Sequence, residues 1–184
     1  MQRRHNEKGL PGLRGTDHIG ITAPDFDQAC DFFEDVLGLE PFYQMGPFES
    51  ANDNMMQDML NVHPRAVIRR VKQFRCGHGP NIELFEYESP DQKMVMPKNS
   101  DWGGHHITLY VDDIDLAMEH LRKHNIRLMP GGGELVTEGP EAGLRACYFL
   151  TPWDMQMELI SYPNGKAYER DTSSKLWDPR KPSL

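Results

Sequence analysis

Long apolar runs are what this chain of 184 residues most plainly lacks. No stretch approaches the roughly 18 consecutive apolar residues of a membrane-crossing helix, and the opening MQRRHNEKGLPGLRG has no apolar centre of the signal-peptide kind. A membrane partner is therefore not expected, and the cytoplasm is the expected compartment. Cysteine is scarce as well. Cys30, Cys76 and Cys147 are odd in number and have no metal-type spacing, which argues against a disulfide framework and for small, reduced, buried thiols. Basic charge is short too, with 20 Lys and Arg against 28 Asp and Glu. Four of the basic residues fall in residues 1–15 and five in 163–184, so residues 16–162 hold 11 basic and 24 acidic side chains. A body this acidic repels a phosphate backbone, and nucleic acid is not an expected partner.

What the sequence does contain is one plan written twice. DHIGITAPDFDQACDFFEDVLGL and HHITLYVDDIDLAMEHLRKHNI each run histidine, short alternating strand, aspartate, helix. With His18 set on His106, Ile19 falls on Ile107, Ile21 on Leu109 and Asp25 on Asp113. Phe26, Ala29, Cys30, Phe33 and Leu37 recur at helical spacing behind Asp25, and Gly38 follows as a stop. Ile114, Ala117, Met118 and Leu121 form the matching stripe, closed by Asn125. Further on, NIELFEYESP matches QMELISYPNG, so Glu83 falls opposite Glu158. The first copy is longer by about the length of ANDNMMQDMLNVH, an insert at 51–63. The predicted fold is α+β: two paired βαβββ modules forming a curved mixed sheet around a metal-binding cavity. The expected boundaries are an N-terminal extension at 1–15, a first module at 16–89, a linker at 90–103, a second module at 104–162 and a tail at 163–184.

The adjacent histidines of GGHHITLYVDD cannot share a role, because neighbouring side chains on a strand point to opposite faces. If Ile107 and Leu109 face the helix, then His106, Thr108 and Tyr110 share the other face, and His106 is the partner of His18. By the same parity Glu83 stands with Phe85 and Tyr87, and Glu158 with Ile160. Two imidazoles and two carboxylates at matching places suit one divalent cation of the zinc, nickel, cobalt, iron or manganese type.

These segments, with FLTPWDMQMELI, resemble the vicinal oxygen chelate superfamily over about residues 16–162. That superfamily includes glyoxalase I, methylmalonyl-CoA epimerase, extradiol dioxygenases and fosfomycin-resistance proteins. The resemblance implies His18, Glu83, His106 and Glu158 as metal ligands, Glu158 and Glu83 as catalytic carboxylates, and a homodimer. A fourth ligand at Glu83 is closer to the glyoxalase pattern than to the dioxygenase triad of two histidines and one glutamate. The expected activity is a metal-dependent isomerase, epimerase or lyase that moves a proton beside the carbonyl of a small oxygenated substrate. An Fe(II) or Mn(II) dioxygenase acting on a catechol is the alternative, and a non-catalytic binding or resistance protein is a third. The turn Thr151-Pro152-Trp153-Asp154 departs from the Asp-Pro-Asp-Gly common in glyoxalase I.

Three further residues are expected to touch substrate. Arg145 is an anion contact on the second hairpin. Tyr110 shares the face of His106. Met56 lies in the insert, which reads as a short lid helix over the cavity or, equally, as core filler. RRVKQFR, Arg69 to Arg75, reads as an anion cradle or as a charged strand that resists aggregation. In the tail, Tyr168 and Trp177 suggest an arm that lays its rings on the domain or on a partner.

Overall fold

Each module is set by an aspartate that ends a strand and caps a helix. In the computed structural model, which describes residues 9–182, β1 (His18–Thr22) leads to Asp25, whose carboxylate accepts from Gln28 N at 3.0 Å to begin α1 (Phe26–Asp31). The helix widens into a π-type turn over Phe32–Val36, and Gly38, at φ 69°, turns the chain out of it. Then follow β2 (Glu40–Met45), α2 (Met55–Leu60) inside the insert, β3 (Val67–Arg75) and β4 (Asn81–Glu88). The second copy repeats the scheme with β5 (Ile107–Tyr110), α3 (Ile114–Lys123), β6 (Arg127–Leu128), β7 (Arg145–Leu150) and β8 (Gln156–Ser161). Asp113 caps α3 by accepting from Asp115 N and Leu116 N, both at 3.0 Å. No helix among the described residues is long and apolar enough to cross a membrane.

The strands form two four-stranded mixed sheets, ordered β1-β4-β3-β2 and β5-β8-β7-β6. In each, the first strand runs parallel to the last and the hairpin is antiparallel. The two modules share one core, built from their helix faces. Ile21, Ile82, Leu84 and Phe74 from the first sheet and Ile107, Cys147, Phe149 and Met157 from the second are all buried in it with α1 and α3. Trp153, in the turn before β8, meets Phe32 and Phe33 edge-on at 5.5 and 5.9 Å between ring centres and joins the halves. His120 adds a contact from its Nε2 to the Val36 carbonyl at 2.8 Å.

The two mixed sheets are separate and do not close into a barrel. Burying both helix faces together leaves the opposite face of each sheet open, and β1 and β5 each keep one edge with no strand beside it among the described residues. Ends of the open faces are covered differently. On the first sheet, α2 packs a small second core of Met56, Ala66, Ile68 and Val71 with Phe85 and Tyr87. On the second, the tail returns, with Arg180 stacked 4.6 Å over Tyr162 and bonded to the Tyr162 carbonyl at 2.5 Å. Arg180 anchors the arm, while Trp177 stays 53% exposed. Residues 1–8 of the expected N-terminal extension lie outside the described residues.

Candidate functional site: two half-sites on open sheet edges

The strand register brings the four sequence-derived ligands together as two pairs. Gly20 stands beside Glu83 on β1 and β4, which places His18 and Glu83 on one open face, with His18 Nε2 3.3 Å from a Glu83 oxygen. Thr108 stands beside Glu158 in the same way, and His106 Nε2 lies 3.4 Å from a Glu158 oxygen. Among the described residues no group of three or more His, Cys, Asp or Glu side chains is gathered so as to hold a metal. The quartet exists as two half-sites. His105 takes no part: its Nδ1 lies 2.9 Å from the Gly103 carbonyl, and it lines a different cavity from His106.

The donor chemistry of each pair fits a metal. Two ligands at about 2.1 Å from one ion, with bond angles between about 90° and 110°, lie about 3.0–3.4 Å apart. Both imidazole-to-carboxylate separations match that spacing and are long for a hydrogen bond. Both rings are also held from behind. Asp17 contacts His18 Nδ1 at 2.7 Å, and this bond raises the His18 imidazole above its ordinary value and keeps a proton on Nδ1, leaving Nε2 for a ligand bond when the ring is neutral. The Asn99 amide nitrogen lies 3.2 Å from His106 Nδ1.

The carboxylates are held less equally. Gln73, next to Glu83 across the hairpin, donates from Nε2 to Glu83 Oε1 at 2.7 Å. Thr108 donates its hydroxyl to Glu158 Oε2 at 2.7 Å, and Tyr148, the cross-strand neighbour of Glu158, meets the His106 ring edge-on at 5.2 Å. Burial, and then the Glu158 charge, push the Tyr148 phenol above its ordinary value, so it stays a neutral donor at physiological pH. Parity and hairpin register made Gln73, Thr108 and Tyr148 findable from sequence, and Asp17 is adjacent to its histidine. Asn99 had no such signal, because it depends on the fold of the loop at 98–104.

Tyr110 lies on the His106 face as expected, packed edge-on against Tyr162 at 5.0 Å. With His106 and Thr108 it lines a cleft of about 1010 Å³ that wraps the free edge of β5, opposite Ile19, Leu37 and Ile82 of the first module. The two other expected substrate contacts point away from the His–Glu pairs. Arg145 points to the helix face, where its guanidinium makes a bidentate pair with Asp115 at 2.8 Å for both bonds and donates from Nε to the Gly133 carbonyl at 2.6 Å. Its parity differs by one from that of Glu158's neighbour Tyr148, which explains the turn to the other face. Met56 is fully buried in the second core and is filler, while Met59 beside it is 74% exposed. In RRVKQFR, Arg70 pairs with Glu86 and Asp27, and Lys72 with Glu34, so these cations bind the sheet to itself and to the α1 region.

Comparison with known proteins agrees with this architecture. Residues 17–148 match the Glyoxalase/Bleomycin resistance protein/Dioxygenase superfamily. A 2-epi-5-epi-valiolone epimerase of Actinomyces sp is 43% identical over 173 residues, covering 94% of this chain and 92% of the relative. The mitochondrial methylmalonyl-CoA epimerase of Dictyostelium discoideum is 24% identical over 155 residues, covering 83% of this chain and 79% of that one. Among solved structures, a glyoxalase family protein from Bacillus cereus superposes with a TM-score of 0.63 at 21% identity, over 85% of this chain and 97% of that one. The fosfomycin resistance protein FosX of Listeria monocytogenes gives 0.54 at 16% identity, over 86% and 98%. At these identities the structures speak for the fold, and the sequence relatives support an epimerase-type role.

Proposed function

The chain belongs to the glyoxalase/bleomycin resistance protein/dioxygenase superfamily, and on that footing we propose that it is a metal-dependent epimerase of a polyhydroxylated cyclic ketone of the 2-epi-5-epi-valiolone type. The observation that carries the reading is the duplicated His–Glu pair, His18 with Glu83 and His106 with Glu158, in a chain so close to an epimerase of that substrate. His18, Glu83, His106 and Glu158 would hold the divalent ion. When bound, that ion draws charge from the substrate's carbonyl oxygen and makes the neighbouring C–H more acidic. Glu158, held by Thr108, and Glu83, held by Gln73, are the groups that take the proton from that carbon and return one to its other side. Inversion needs a group on each side of the carbon, and two carboxylates on two separate sheets meet that need.

The site is complete when the first module of one copy meets the second module of another. The unpaired edges of β1 and β5 support this assembly, since exposed N–H and C=O groups on such edges are ready to pair with another chain, and a homodimer forms two such junctions. His18→Ala and His106→Ala variants test it when mixed and allowed to exchange subunits. A junction between chains regenerates one intact site per mixed dimer, about a quarter of the wild-type sites in a statistical mixture. No recovery on mixing places the site within one chain.

The reaction itself is tested by turnover of 2-epi-5-epi-valiolone in heavy water. Epimerisation by proton transfer incorporates deuterium at the carbon beside the carbonyl and consumes no dioxygen. Turnover of a catechol with oxygen uptake, and no deuterium in the ketone, would replace this reading by the dioxygenase one.

A further inference from the structure

A second cavity, of about 850 Å³, lies between α2 with the residues after it and the segment 91–97. Gly20 lines it, and Gly20 is two residues from His18 on the same face of β1 and in register with Glu83. The cavity thus borders the first half-site at Gly20, while His18 and Glu83 themselves stand outside its lining. Thr22, also on that face, and Tyr87 of β4 line it beyond Gly20, and Val62 and Pro64 add apolar surface.

The wall that the insert gives this cavity is fixed. The Arg65 guanidinium donates to the carbonyls of Ser50 and Asp53, Asp53 accepts from Met55 N at 2.9 Å, and Met56 is locked in the second core. Three polar side chains line the cavity from this wall: Gln57, Asn61 and His63. Among the described residues the Gln57 and Asn61 carboxamides bond to no protein group. His63 Nδ1 accepts from Arg65 N at 3.0 Å, which in the neutral ring puts the proton on Nε2 and leaves that N–H for another partner. A row of amide and imidazole groups on a held backbone, with apolar surface beside it, matches a molecule with hydroxyls at its rim and C–H groups on its faces.

We infer that this cavity seats the hydroxylated ring of the substrate, with Gln57, Asn61 and His63 bonding hydroxyls remote from the reacting carbon. The inference rests on the epimerase reading and deepens it: the thirteen-residue insert is the feature that makes this copy of the module selective for a polyol. Because the bonds lie away from the reacting carbon, they hold ground state and transition state alike and act on KM more than on kcat.

Three variants remove the bonds and keep the scaffold. Gln57→Leu keeps the length of the side chain. Asn61→Gly preserves the left-handed backbone, at φ 54°, that alanine would strain. His63→Asn keeps an acceptor near the Nδ1 position and deletes Nε2. Each is expected to raise KM for 2-epi-5-epi-valiolone about five- to tenfold, with kcat within threefold and an unchanged melting temperature. Calorimetric binding of the same compound to the triple variant should weaken by at least a hundredfold. If the triple variant binds as wild type does, or if kcat falls with KM unchanged, the inference is wrong. Wild type that binds the polyol through these residues without epimerising it would overturn the epimerase reading and leave the cavity assignment standing. Wild type that does not bind it overturns the cavity assignment.

Discussion

The two modules have the same backbone plan and hold the same donor pair, yet almost nothing around that pair is shared. Beside Glu83 stand a glycine, Gly20, and an amide, Gln73; beside Glu158 stand two hydroxyls, on Thr108 and Tyr148. His18 is backed by a carboxylate and His106 by an amide. The open face of the first sheet is roofed by an inserted helix, and that of the second by the returning C-terminal arm. Duplication fixed the elements that place the His–Glu pair, while the surrounding positions diverged. An epimerisation has that same asymmetry: two groups do opposite halves of one proton transfer and need different environments.

The comparison breaks first at the carboxylates. Glu83→Gln and Glu158→Gln should each lower kcat by about a thousandfold if both carboxylates move protons. Deuterium exchange without inversion in one variant, and neither in the other, would identify which carboxylate removes the proton and which returns it. Equal, mild losses would make both glutamates mere holders of charge. Next in size is a stability effect confined to the first module. Met56→Ala should cost about 2–4 kcal/mol in chemical denaturation because the side chain is fully buried, whereas exposed Met59→Ala should change little. A matching loss for both would mean that α2 packs otherwise. Smaller again is the effect of exchanging the hydroxyl neighbour of Glu158. Tyr148→Phe should lower kcat about tenfold, with metal content measured by elemental analysis unchanged; loss of metal in that variant would make Tyr148 a support for the ligands rather than for proton transfer.

Much of this was legible in the sequence, for a physical reason. Strand parity and a repeat are local and periodic signals, so the placing of His106, not His105, on the face of Glu158 followed from alternation and the repeat. The N-cap aspartates were legible for the same reason. The separation of the quartet into two pairs was not, because it depends on which faces of the modules pack together, and Trp153, Phe32 and Phe33 decide that through contacts remote in sequence. Met56 shows a second limit. A methionine in a short helix reads alike as a ligand contact and as filler, and the burial that separates them comes from Ala66, Ile68 and Val71 on a strand still to come.

Arg145 gives the smallest and most discriminating test, since the repeat itself explains it. The spacing that sets Glu83 on Glu158 also sets Arg70 on Arg145, and the one that sets His18 on His106 sets Asp27 on Asp115. The structure has both ion pairs, Arg70 with Asp27 at 2.7 Å and Arg145 with Asp115 at 2.8 Å, each tying a hairpin strand to the first turn of the module's helix. This is one scaffold contact inherited twice, and an arginine that is scaffold in one copy is not expected to read substrate in the other. The hydrogen bonds from Arg70 and Arg145 hold Asp27 and Asp115 below the usual carboxylate range. A carboxylate depressed by folding adds stability above its unfolded value and loses it as the pH falls through its folded value, so both pairs should support the fold at neutral pH and fade in acid. Both aspartates are well exposed, so the effect is small. Arg145→Ala should lower the melting temperature by about 2–4 °C at pH 7, with KM unchanged and the difference from wild type shrinking as the pH falls below the carboxylate range. Arg70→Ala should lower it more, because Arg70 also bonds Glu86 at 2.6 Å and lies 4.3 Å over the Phe26 ring. A rise in KM for Arg145→Ala alone, at unchanged melting temperature, would separate the two arginines and return Arg145 to the substrate site.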